Sequence, residues 1–361
     1  HTRYPLVTGV QTCALPICIG GCIAALALAP YYSVTLIDKD AEPQNKVGES
    51  LAPAAIRILK QLNLQHLLSD PRHIVSQGTL SYWGSDEPTL IDNLKNPDGF
   101  GWHLDRAYFE KQLREACYTA NIHTIWPAQL VDSTKTSHGW KVTYQHNAHA
   151  HQLISDIVID ASGRHCVFAR QQGIARHQFD KLMSIGFTAN LNITKNVAVI
   201  SHTDDSWWYS APLHQNDLNA GVYQQKRIFS WYAEPHIIKA AQIHTPQALL
   251  QRAQHVTGLG ALISQLDHSS AALHPMLAAN SSKLESCSGN AWFAIGDSAI
   301  SFDPLSSQGM FNAMASAMQL SELLINNGLT HTDNRVIYQQ QVDKIWQSYL
   351  AHRALYYKMV S

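Results

Sequence analysis

Charge is scarce in this chain. Only 15% of its 361 residues are Asp, Glu, Lys or Arg, and the two signs nearly cancel at a net charge of −1. With no basic excess, nothing in the sequence can track a phosphate backbone, and nucleic acid is not an expected partner. No uninterrupted apolar run approaches the roughly 18–20 residues that a membrane-crossing helix needs, so no membrane span is expected. The opening imitates a signal peptide, with Arg3 ahead of an apolar stretch, but Pro16 and Gly20-Gly21 interrupt it. The six cysteines (13, 18, 22, 117, 166 and 287) form no C-x-x-C pair and no regular framework, which fits a reducing, cytoplasmic setting. The 20 histidines are scattered without H-E-x-x-H or other tight ligand spacing, and no metal site is expected.

The organisation that remains is α/β. Residues 22–29 (CIAALALA) are a small-residue helix, and SVTLID (33–38) is a strand ending in an acid. Residues 51–68 have a helical, amphipathic pattern, and 74–92 are strand-like with Gly78 and Gly84 as punctuation. DRAYFEKQLREACYTA (105–120) is a helix with Asp105 placed to cap it. HTIWPAQLVDSTKT, GWKVTYQ and HQLISDIVIDASG follow as three strands. From about 180 to 285 short alternating strands carry most of the tryptophans: SIGFTANLNI, AVISH, SWWYSAPL, LNAGVYQ and RIFSWYA, then a helical stretch near 246–265. AWFAIGDSA returns to a buried strand. Met310, Ala313, Ala317, Leu320 and Leu324 mark a long helix that Gly328 stops. The simplest architecture is a Rossmann-type core interrupted by an antiparallel, aromatic-rich lobe.

Two places carry chemistry. Gly20-Gly21 precede a helix, where glycine lets backbone amides approach a pyrophosphate, and Asp38 closes the next strand at the distance of a ribose-binding acid. In AIGDSAISFDPLSSQGMFNAMASA (294–317), a buried strand ends in Gly296-Asp297, a proline loop follows, and Gly309-Met310 open the long helix. An acid at a strand's end can accept hydrogen bonds from a sugar-like chain. Free amides at a helix start favour a negatively charged acceptor by about 0.3–1 kcal/mol.

The set VGESLAP (47–53), GWHLDRAYFE (101–110), VIDASGR (158–164) and AIGDSAISFDPLSSQG (294–309) resembles the FAD-dependent monooxygenase and halogenase superfamily, with a glutathione-reductase-type FAD domain. The resemblance runs from residue 18 to the end. It implies an FAD-binding domain formed by 18–75, 98–178 and 286–330, a substrate domain formed by 76–97 and 179–285, and a C-terminal helical segment, 331–361. It also implies that Asp297 holds the ribityl chain, that Pro304 packs on the isoalloxazine, and that the Gly309 and Met310 amides face its pyrimidine carbonyl. Arg106 would contact the sugar-phosphate side, Glu49 and Ser50 would lie close to the cofactor, and Asp160 and Gly163 occupy the D-G-type motif.

VTGVQTCALPI, at the front, reads as a translated sequencing adapter. Residues up to about 17 are accordingly expected to stand in place of a native first strand and the leading glycines of a GGGxAG turn, and the tail is expected to run on in an intact chain.

Within the superfamily, tryptophan-type halogenases pair a lysine with a glutamate near the flavin and carry W-x-W-x-I-P. Here Trp207-Trp208-Tyr209-Ser210-Ala211-Pro212 keeps the first Trp and the Pro, Ser306 stands where the glutamate is placed, and 74–86 contains no lysine. GWHLDRAYFE, SWWYSAPL, SSKLESCSGNAWFAIGDSAISFDPLSSQG and the R-x-x-YY ending resemble flavoprotein maturases of the LodB/GoxB type more closely. That implies hydroxylation of an aromatic, tryptophan-like group by dioxygen through a flavin C4a-hydroperoxide, on a small molecule or a quinoprotein precursor polypeptide. NAD(P)H or an external flavin reductase would supply electrons. Trp83, Trp207, Trp208, Tyr209 and Trp231 are candidate pocket walls, and no catalytic residue is assigned. The alternatives are a halogenase, a flavin reductase of the geranylgeranyl-reductase kind, and a non-catalytic flavin-binding chaperone.

Overall fold

The computed structural model describes residues 11–15, 19–193, 195–213 and 225–360, the first of these runs by its backbone alone. LNAGVYQ lies outside the described residues.

A six-stranded sheet forms the first core. Its order is Ser288–Gly289, Trp292–Ala294, Ile157–Asp160, Gln11–Leu15, Ser33–Ile37 and His123–Ile125. All pairs are parallel except the 288–294 hairpin at one edge. Helix Ile19–Leu28 crosses from Gln11–Leu15 to Ser33–Ile37, which is a βαβ unit with Asp38 at its exit. The strand Ile157–Asp160 is buried at every position, as expected for a parallel sheet covered on both faces.

Residues 11–15 fall inside the segment expected to replace a native strand, yet their backbone fills the middle of this sheet, with Cys13 opposite Val158 and Thr35. The slot between two parallel neighbours asks only for extended backbone, because main-chain amides and carbonyls make the ladder whatever the side chains are.

The second core lies on an eight-stranded sheet ordered Leu266–Leu273, Met183–Leu191, Gln225–Ala233, Ser206–Leu213, Ala198–Thr203, Gly78–Tyr82 and Thr89–Asp92, with Leu277–Ala278 also paired to Met183–Leu191. It was expected to be antiparallel and is mixed: Ala198–Thr203 runs parallel to Gly78–Tyr82. The parallel pair arises because residues 78–92 reach this sheet from a distant part of the chain rather than through a hairpin. Helix Pro246–Gln254 covers one face with Leu249, Leu250 and Ala253.

Other elements divide more finely than the sequence suggests. The amphipathic stretch 51–68 becomes a two-residue strand, helix Ala55–Gln61 and the 3-10 turn Gln65–Ser69, with Asn63 between them in the left-handed region at φ 58. HTIWPAQLVDSTKT breaks at Pro127, which has no amide to donate, and its second half joins a separate three-stranded meander, 128–155. Helix Arg106–Thr119 forms as expected, and Asp105 caps it by accepting a 3.0 Å bond from the Tyr108 amide.

Helix Gly309–Asn327 packs along Ile19–Leu28. Gly20 and Gly21, expected in a turn before that helix, sit inside its first turn and are buried. A Cβ at Gly20 would stand 2.9 Å from the Ala313 carbonyl oxygen, so this glycine is required for the close helix–helix approach. Gly328 ends the long helix at φ 87.

Candidate functional site

The segment 294–310 presents an open polar geometry. After strand Trp292–Ala294, Gly296 turns at φ 55, where a Cβ would press to 3.0 Å from Ala313, and its amide donates to Ser316 Oγ at 2.9 Å. Asp297 follows with its side chain 40% exposed, and its nearest charged neighbour is the Arg164 guanidinium at 3.8 Å. Its oxygens therefore keep acceptor capacity. The turn Pro304–Ser306 comes next, capped by Asp303, whose carboxylate accepts the Leu305 amide at 3.0 Å. Helix Gly309–Asn327 then begins without any side-chain cap, leaving its first amides free. A Cβ at Gly309 would meet nothing within 4 Å, and the same holds at Gly163, which has φ 63. These residues suit an extended ligand with a polyol chain and an electron-rich edge.

Asp38 is buried and ion-paired to Arg114, and it accepts the Asp40 amide at 3.1 Å. Arg114 also donates to the carbonyls of Asp40 and Ala41, which fixes the loop leaving the strand. Burial raises the Asp38 pKa, and Arg114 opposes that shift.

Asp160 differs from expectation. It is wholly buried, and its oxygens accept from the Ser162 amide and hydroxyl, the Ala169 amide and Ser298 Oγ. Neither of its oxygens reaches solvent. It ties a strand end to two turns, and Gly163, not Asp160, is the open member of that motif.

A second group of polar residues surrounds a cleft of about 450 Å³ lined by Lys46, Glu49, Arg106, Lys226 and His274. Arg106 donates to Glu110 at 2.9 Å and to the Gly48 carbonyl at 2.8 Å, holding the 46–49 loop against its helix. Strand Ser50–Leu51 pairs with Gly101–His103, setting Ser50 opposite His103. Glu49 is 2% exposed, with the Tyr209 hydroxyl beside its carboxylate, and both nitrogens of buried His103 are unpartnered. Arg227 is 0% exposed and donates to Ser210 Oγ and to the carbonyls of Lys195, Val197 and Ser210. Burial lowers its pKa to about 10, which leaves it charged at neutral pH, and Tyr209 and Glu49 are near enough to favour that charge. Burial pushes the Tyr209 phenol well up, with Glu49 adding to the rise.

Unpartnered buried polar atoms are costly, and such a pair marks a site that expects polar ligand atoms. Arg227 and His103 were not anticipated from the sequence. The only hint was an arginine inside the otherwise apolar RIFSWYA.

Burial, then the Arg227 charge, lowers the His103 pKa from 6.5 to about 3. Between those values the unfolded chain binds a proton that the folded chain refuses, so stability falls as pH falls through this window. From pH 6.5 to 4.5 the His103 contribution is a loss of about 2 kcal/mol, below the limiting slope of about 1.4 kcal/mol per pH unit because the unfolded imidazole is half protonated at the upper end. Urea unfolding at the two pH values is expected to show that loss, and His103→Gln to remove most of the difference.

The five aromatic candidates separate by strand alternation. Trp207 and Trp208 are consecutive on Ser206–Leu213 and face opposite ways. Trp208 stacks on Trp231 at 5.9 Å in the core under helix Pro246–Gln254, so these two are not pocket walls. Trp207 stacks on Tyr232 at 3.9 Å and lines a second cavity of about 370 Å³ together with Asp180, His202, Arg353 and Tyr357. Trp83 packs edge-on behind Trp207, and Tyr209 lies on the Trp207 face, towards Glu49.

The tryptophan halogenase family model matches residues 81–361. The chain belongs to the tryptophan halogenase family. It is therefore an enzyme, and its relatives are named for redox chemistry. LodB of Marinomonas mediterranea, described as an FAD-dependent oxidoreductase, is 23% identical over 338 residues, covering 91% of this chain and 87% of its own. Several solved structures share the fold. The flavin-dependent brominase Bmp2 aligns with a TM-score of 0.82 at 16% identity, over 97% of this chain and 87% of its own. QhpG, a peptidyl tryptophan dihydroxylase essential for tryptophylquinone cofactor biogenesis, aligns with a TM-score of 0.75 at 17% identity, over 98% and 75%.

As a family member, this chain has Ser306 engaged in its own turn, its hydroxyl bonded to the Asp303 carbonyl at 2.9 Å. Among the described residues there is no group of His, Cys, Asp and Glu able to hold a metal ion, and no helix is long and apolar enough to cross a membrane. Cys117, Cys166 and Cys287 are free and buried, and Cys22 is buried in the first core.

Proposed function

We propose that the chain is an FAD-dependent monooxygenase that oxygenates an electron-rich, tryptophan-like ring. The observation that carries this reading is the uncapped, glycine-faced start of helix Gly309–Asn327 directly after Asp297 and Pro304. Asp297 would accept hydrogen bonds from the ribityl hydroxyls, Pro304 would pack on the ring, and the Gly309 and Met310 amides would donate to its pyrimidine edge. Asp38, fixed by Arg114, would accept from the ribose. Glu49, Ser50 and Arg106 would close the opposite side at the cleft, and Gly163 would give the cofactor room.

FAD supplies the electron transfer and the activation of dioxygen when bound. The chain's own residues bind, orient and keep water out. Its fixed dipoles at the helix start stabilise charge that develops on the cofactor. Overall, one oxygen atom enters the ring and the other leaves as water, with two electrons and two protons supplied through NAD(P)H or a separate flavin reductase.

Oxygenation is favoured over halogenation by two features of this chain. No lysine lies in 74–86 to hold a hypohalous acid, and Ser306 replaces a carboxylate. The likeness to LodB and QhpG supports a precursor polypeptide as the substrate, with a free aromatic molecule as the other class. The test is mass analysis after turnover with FAD, a reducing system, dioxygen, bromide and a tryptophan-containing peptide. Products heavier by one or two oxygens are expected. A brominated ring would assign the halogenase reading, and oxygen consumption without any modified product would contradict both.

A further inference from the structure

The R-x-x-YY ending has no role in the site as described so far, yet its side chains reach the Pro304 turn. Asp303 opens that turn and is 1% exposed. One carboxylate oxygen caps the Leu305 amide at 3.0 Å. The other accepts the Tyr357 hydroxyl at 2.7 Å and Arg353 Nε at 3.2 Å. The Asp303 amide donates to the Tyr349 hydroxyl at 2.8 Å, which also pairs with Ser281 Oγ at 2.6 Å. Tyr349, Arg353 and Tyr357 all belong to helix Asn334–Lys358. Arg353 is held from behind by Asp180 at 3.3 Å and lies over the Tyr357 ring at 4.4 Å. Trp83 anchors the helix end by donating to the Tyr356 carbonyl at 2.8 Å. Every polar handle of Asp303 is thus taken either by its own turn or by the C-terminal helix.

We infer that Arg353 and Tyr357 are positioning residues that lock the Pro304 turn in the shape the cofactor packs on. The cofactor's place on this turn rests on the function proposed above. The lock itself is a property of the chain. A turn held only by its own two or three hydrogen bonds opens readily; cross-linking its capping carboxylate to a long helix removes that freedom. A charge-assisted bond from Arg353 and a short phenol bond, both to a buried oxygen, are the strong kind. Preorganisation of a binding surface then appears as affinity.

The test compares the full chain with Tyr357→Phe and Arg353→Lys, using hydrogen exchange read by mass spectrometry and FAD titration. Tyr32→Phe is the control, because it deletes a similar buried-end hydroxyl bond, to the Leu324 carbonyl at 3.0 Å, away from the turn. In the FAD-free chain, peptides holding the Leu305, Ser306 and Ser307 amides are expected to exchange at least tenfold faster in both lock variants. Peptides from the central sheet should not change, and Tyr32→Phe should leave the turn as it was. The FAD dissociation constant should rise about tenfold. Unchanged exchange at 305–307, or acceleration spread evenly over the chain, would overturn the lock. A chain that binds no FAD in any form would contradict the proposed function, while the exchange data would still decide the lock.

Discussion

Arg227→Met is expected to lower the unfolding free energy by about 3–5 kcal/mol, the range for removing one partner from a buried charged set. Arg227 is fully buried, yet its guanidinium has a bond for nearly every donor it offers. Methionine has similar bulk and no donors. It leaves the carbonyls of Lys195, Val197 and Ser210 unpaired in the interior and removes a buried cation that interacts with the Glu49 carboxylate. Each orphaned acceptor alone costs about 1–3 kcal/mol. Lys226→Met, one residue away on an exposed position, is expected to change stability by less than about 0.5 kcal/mol. Urea unfolding of the two variants makes the comparison. A loss below about 1 kcal/mol for Arg227→Met would mean that water already reaches this guanidinium.

Gly309→Val is expected to act the other way round, with little effect on folding and a large one on the cofactor. A Cβ at Gly309 meets no protein atom within 4 Å, and valine is no worse than glycine in a helix. The melting temperature should stay within a few degrees. In the proposed site, however, the added methyl groups stand where the pyrimidine edge approaches the free amides, so FAD affinity should fall at least about a hundredfold, equivalent to about 3 kcal/mol. A fluorescence titration beside a melting curve separates the two effects. Equal affinity in the variant would place the ring elsewhere.

What the sequence revealed followed from local chemistry. Asp105 caps its helix, Gly328 stops the long helix, and Asp38 ends the second strand of the βαβ unit, all from cues lying within a few residues. The tryptophans are instructive because the signal was present: a period of two along SWWYSAPL already separates Trp207 from Trp208, and only Trp207 reaches a cavity.

Other features had no local signal. Asp160 is consumed partly by Ser298, 138 residues downstream, and Gly20 owes its identity to Ala313 on another helix. His103 and Arg227 look ordinary in sequence. Their burial, and the unpartnered His103 nitrogens, exist only once the Gly101–His103 strand is set against the eight-stranded sheet. The R-x-x-YY ending was visible as a motif, but its purpose depends on a contact about fifty residues back along the chain.

In the proposed function, the segment from Asp297 to Met310 receives a flavin. The most direct measurement is a titration of the folded chain with FAD, followed by flavin absorbance and fluorescence. One FAD per chain, with altered absorption bands and quenched emission, is the predicted result. A folded chain that leaves added FAD with the spectrum of the free cofactor would contradict it.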